Sequence, residues 1–95
     1  MITQKEIHKV ALDHLFWQSP VNIPEKLCLI HSEISEALEA DRYIGIKLPN
    51  IGEELADAVI RILDLAEYLG FDMEAEVARK HEINKTRPIR HGKRY

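Results

Sequence analysis

The chain is 95 residues long, 45% hydrophobic and 31% charged, which suits one soluble globular domain at the small end of what a single core supports. No apolar run approaches the roughly 20 residues needed to span a bilayer, so a membrane role has no support. The lone cysteine, Cys28, excludes an intrachain disulfide, and no charged-then-apolar leader opens the chain, so a reducing cytoplasm is the expected setting.

The net charge of -3 conceals an asymmetry. Residues 1–78 hold 6 Lys/Arg against 15 Asp/Glu, a net of -9, whereas residues 79–95 hold 7 against 1, a net of +6. An acidic body therefore carries a basic C-terminal segment.

Four helices are predicted in chain order. The first spans about 3–17: Thr3 and Glu6 have capping-box spacing, and Ile7, Val10, Ala11, His14 and Leu15 keep helical spacing up to Trp17. "QSPVNIP" interrupts the pattern, and Pro24 suits the first turn of a second helix over 23–43. After the loop "GIKLPN", Asn50 and Glu53 read as a third start, and the longest periodic run extends over 50–69 until Gly70. Asp72 is the expected N-cap of a fourth helix over 72–85, followed by a basic tail over 86–95. No segment alternates with period two. The expected fold is all-α, a single antiparallel helical bundle over 1–95 that is completed by oligomerisation, because so small a subunit buries little surface alone.

The second helix holds an anomaly. At about 100° per residue, His31, Ser32, Ser35, Glu39 and Arg42 share a solvent arc. Glu33 and Glu36 fall on the other side, beside the apolar stripe of Leu27, Ile30, Ile34 and Leu38. Ionised carboxylates near apolar packing persist by pairing, by neutralising or by binding a metal. Lys26 is the only cation of that helix near them, one partner for two acids. On the third helix Glu54 and Asp57 share a polar face with Arg61, Asp64 and Tyr68, and there a solvated stripe with an Asp57–Arg61 pair is the plainer reading. Antiparallel packing of the two helices would bring Glu33 and Glu36 opposite Glu54 and Asp57. Four carboxylates without His or Cys suit a hard divalent cation, Mg²⁺ or Mn²⁺ rather than Zn²⁺.

The two pairs, Glu33-Ile-Ser-Glu36 and Glu54-Leu-Ala-Asp57, sit within "SEISEALEA" and "GEELADAVIRILDLA". This E-x-x-E…E-x-x-D pattern resembles the signature of MazG-like nucleoside triphosphate pyrophosphohydrolases, and the likeness extends through "KHEINKTRPIRHGKRY". The resemblance implies an all-α bundle in which Glu33, Glu36, Glu54 and Asp57 bind Mg²⁺. It implies hydrolysis of (deoxy)nucleoside triphosphates to monophosphate and pyrophosphate by a dimer or tetramer, as nucleotide-pool house-cleaning. It places Lys80 and Asn84 on the substrate's phosphates, with Arg87 joining them. In such chemistry Glu36 or Glu33 would accept the proton of the attacking water.

Rival readings are weighed on their own residues. The basic tail could bind nucleic acid through phosphates, as part of a non-catalytic adaptor or antitoxin-like dimer. The acidic body opposes that, and no helix presents a basic recognition face. A di-iron bundle would need E-x-x-H, which occurs nowhere in the chain. Trp17 could stack a nucleobase, although a core or interface anchor is its commoner role. Cys28, His31, Lys47 and His91 are read as ordinary surface or loop residues.

Overall fold

The computed structural model describes residues 2–42 and 51–95. These form four α-helices, α1 (Gln4–Asp13), α2 (Ile23–Arg42), α3 (Ile51–Leu69) and α4 (Met73–Lys85), and a short 3₁₀ turn at Ile89–Gly92. The fold of the described residues is all-helical, and none of its helices is long and apolar enough to cross a membrane. The expected second-helix end at 43, the start at Asn50, and Lys47 lie outside the described residues.

Local signals act where the sequence places them. Thr3 caps α1 by accepting from the Glu6 backbone N–H, and Asp72 caps α4 by accepting from Ala75 N–H. Asn22 does the same one turn into α2, its Oδ1 accepting from Glu25 N–H, with Pro24 in the first turn. Gly70 adopts φ +83 after α3, and Phe71 N–H reaches back to the Ala66 carbonyl, so the last carbonyls are satisfied in a Schellman turn.

The first helix is shorter than its periodicity predicts. It stops at Asp13, because Leu15 takes a left-handed conformation (φ +64) while Phe16 N–H bonds the Ala11 carbonyl. This is the same turn as at Gly70, made without glycine. It frees Phe16 and Trp17 from the helix and sends them back toward α3.

Helices α1 and α2 both pack on α3, and α4 has no comparable contact with any of them. The face that α2 buries is not its Leu27, Ile34, Leu38 stripe, whose members are 48%, 50% and 57% exposed. Glu33 and Ala37 are its buried residues instead, and Glu54, Ala58, Leu65 and Ala66 are those of α3. Leu55, Val59 and Ile62 also stay exposed. Ala37 on α2 and Ala58 and Ala66 on α3 are the small residues among those buried. The chain exposes 7943 Å². A folded monomer of its 11.0 kDa exposes about 5,600 Å². Its radius of gyration, 16.0 Å, likewise exceeds the roughly 12 Å expected for this length.

Candidate metal centre

Glu33 stands on α2 and Glu54 on α3, each more than nine-tenths buried. Glu36, one turn after Glu33 and expected with it off the solvent arc, is instead exposed, so of the two acids only Glu33 is taken into the packing. Carboxylate oxygens of these three residues lie within 4.8 Å of one another, an arrangement that could hold a metal ion. One oxygen each of Glu33 and Glu54, Oε2 in both, is buried without a hydrogen-bond partner among the described residues. Such orphaned acceptors are costly unless something electropositive reaches them. Glu36 shows the strain: hydrogen bonding to Glu54 and then to Glu33, with the negative charge of Glu33, raises its carboxyl above the ordinary carboxylate range.

The compensation inside the centre comes from α3. Arg61 Nε donates to Glu33 Oε1 at 2.7 Å. The expected Asp57–Arg61 pair is therefore replaced by one across the helices, and Glu54 is buried rather than part of a solvated stripe. Lys26, expected to serve the acids, instead donates to the Phe16 carbonyl and lies 4.3 Å from the centre of the Trp17 ring. The turn after Leu15 brings both of these acceptors within its reach.

Asp57 does not join the three-carboxylate group. It is exposed and lines a neighbouring cavity of about 330 Å³. The apolar wall of that cavity comes from Ile7, Val10, Ala11 and Phe16 near α1 and from Ile60, and its polar wall from Glu33, Asp57, Arg61 and Asp64. The cavity thus opens beside the acid cluster.

Trp17 is held at the far edge of this wall. Its ring stacks on Tyr68 at 4.4 Å with an interplanar angle of 5°, and its Nε1 donates to both oxygens of Asp64 at 2.9 Å. His8 Nδ1 meets Asp64 Oδ1 at 2.6 Å, and its ring lies edge-on to Trp17. The stacking partner of the indole in this structure is thus Tyr68. Sequence reasoning placed Asp64 and Tyr68 on a polar face and passed over His8. The available signal was its spacing, since His8 shares helical spacing with Gln4, Ile7 and Ala11 on one face of the first helix.

Lys80, Asn84 and Arg87 are all exposed on or just after α4, and their side chains make no hydrogen bond or ion pair among the described residues. The chain does not pack α4 against the acid-bearing helices in the way α1 packs on α3. Cys28, His31 and His91 are exposed, as the helical wheel and the tail position suggest.

Comparison of the chain with protein-family models, with curated proteins and with solved structures finds no match.

Proposed function

We propose that this protein is a Mg²⁺-dependent, MazG-like nucleoside triphosphate pyrophosphohydrolase. The observation that carries this reading is the trio Glu33, Glu36 and Glu54, which among the described residues holds two buried, unpartnered carboxylate oxygens and is bonded by one cation, Arg61. An all-oxygen, anionic donor set suits Mg²⁺, with Mn²⁺ as its usual substitute. Asp57, on the wall of the adjoining cavity, is the fourth acid of the proposed set.

When bound, the ion supplies positive charge for phosphate oxygens and a water of lowered pKa. The chain's own residues do the rest. Glu36, exposed and already raised, takes the proton of the attacking water on its carboxylate, with Glu33 the alternate acceptor. Lys80, Asn84 and Arg87 stabilise charge on the leaving pyrophosphate. Their side chains, on or just after α4 and without a partner among the described residues, support a site that is completed in an antiparallel oligomeric bundle. The pairings of Glu33 with Arg61 and of Glu36 with Glu54 support the antiparallel crossing of α2 and α3. The exposed Leu27, Ile34, Leu38 stripe and the excess of about 2,300 Å² of surface support a second copy over that face.

The test is release of pyrophosphate from a panel of nucleoside triphosphates with Mg²⁺, alongside sedimentation at micromolar concentration. At least one triphosphate should be cleaved to monophosphate and pyrophosphate by wild type and by neither Glu33→Gln nor Glu54→Gln, and the protein should sediment as a dimer or larger. A protein without triphosphate turnover that binds DNA or RNA in a salt-sensitive way would favour the non-catalytic reading of the basic tail.

A further inference from the structure

We infer that Arg61 is a positioning residue of the metal centre, holding one oxygen of Glu33 so that the other remains available to a cation. The inference rests on the cation-binding reading above.

Glutamate has a long side chain with freedom about three torsions, so a buried glutamate ligand needs something to fix it. Arg61 Nε occupies Oε1 of Glu33 at 2.7 Å and leaves Oε2 buried and unpartnered, in a carboxylate that reaches Glu36 and Glu54 within 4.8 Å. Division of labour between the two oxygens of one carboxylate, one to an outer donor and one to the metal, is how ligating carboxylates are commonly held. Arg61 is itself restrained. Its side chain is 30% exposed, its guanidinium lies 5.8 Å from the centre of the Phe16 ring, and it lines the cavity shared with Glu33 and Asp57. It stands one turn beyond Asp57 on the same helix, yet its ion pair is with Glu33 on α2. The planar, directional guanidinium suits this task better than a lysine ammonium, which fixes charge without orientation.

Charge alone predicts the opposite behaviour. A guanidinium beside the centre repels a divalent cation, so if Arg61 acted only as a charge, removing it would tighten metal binding. A positioning role predicts weakening, because Glu33 is then free to turn away.

Calorimetric titration of Mn²⁺ and of Mg²⁺ into the metal-stripped full chain separates the two. Arg61→Gln should weaken the affinity by about 10- to 100-fold, and Arg61→Lys, which keeps the charge, by an intermediate factor, while far-ultraviolet circular dichroism shows the helices retained. Equal or tighter binding by Arg61→Gln, with Glu54→Gln defective, would overturn the role of Arg61 alone. Wild type without divalent-ion binding, or Glu54→Gln binding as wild type does, would overturn the cation centre and this inference with it. Should Arg61→Gln not fold, Arg61→Lys decides: wild-type affinity refutes the positioning role, and a several-fold loss supports it.

Discussion

Asp64 joins three parts of the chain, and its loss should be the most damaging polar substitution in the described fold. It accepts from Trp17 Nε1 through both oxygens at 2.9 Å and meets His8 Nδ1 at 2.6 Å, and it thereby ties α1 and the turn after it to α3. Side-chain exposures of 14% for Asp64 and 17% for His8 leave water little access to either group. A hydrogen bond to a charged group contributes about 1.5–3 kcal/mol. Two donors converge on Asp64, so Asp64→Ala removes about 3–4 kcal/mol after allowance for the partial exposure of the site. For a domain of this length each kcal/mol corresponds to about 4–8 °C in Tm, which predicts a fall of about 12–32 °C. Asp64→Asn should cost less, about 2 kcal/mol, since one carbonyl oxygen survives while the amide N–H₂ opposes a donor. Urea unfolding followed by both circular dichroism and the fluorescence of Trp17, the only tryptophan, measures the loss and reports on the indole directly. A loss below about 0.5 kcal/mol for Asp64→Ala, the range of neutral surface changes, with unshifted fluorescence, would refute the assigned network.

Three further outcomes are expected. Leu15, 70% exposed and held at φ +64, should favour glycine, so Leu15→Gly should stabilise the protein by about 1 kcal/mol in the same denaturation assay. Since the folded-state carboxyl of Glu36 is raised, the native protein retains a proton that the unfolded chain has lost, and this contribution to stability declines as pH rises above the ordinary value of 4.5. Metal-free Glu36→Gln should therefore show a flatter fall of Tm with pH in that window, and a slope unchanged from wild type would contradict the crowding of the three acids. Lys80→Ala and Arg87→Ala should leave unfolding within about 0.5 kcal/mol of wild type, because neither side chain has a partner among the described residues. Under the proposed activity each should lower kcat/KM by roughly 10²-fold, and steady-state kinetics with full turnover would remove these residues from the phosphate site.

The parts of this protein that were legible in its sequence are those governed by interactions within a few residues. Thr3, Asp72 and Gly70 mark helix ends because a cap or a left-handed turn satisfies backbone groups one turn away. The displacement of Glu33 from the solvent arc of α2 follows likewise from the angular step of a helix, and Glu33 is indeed buried. Leu15 shows the boundary of such reasoning: its apolar spacing continued the helix, while closure of the turn onto Ala11 ended it. Only the tertiary structure decided that α2 presents Glu33 and Ala37 to α3 and leaves Leu27, Ile34 and Leu38 outside, that Glu54 is buried, and that Asp57 stands apart from the other three acids. It also chose the partners, Arg61 for Glu33 across 28 positions and Asp64 for Trp17 across 47. A helical wheel orders the faces of one helix, but it carries no information on the register and crossing of two. Those depend on which side chains of one helix come within reach of the other, as Arg61 of α3 does of Glu33 on α2, and these are properties of the pair of helices rather than of either one.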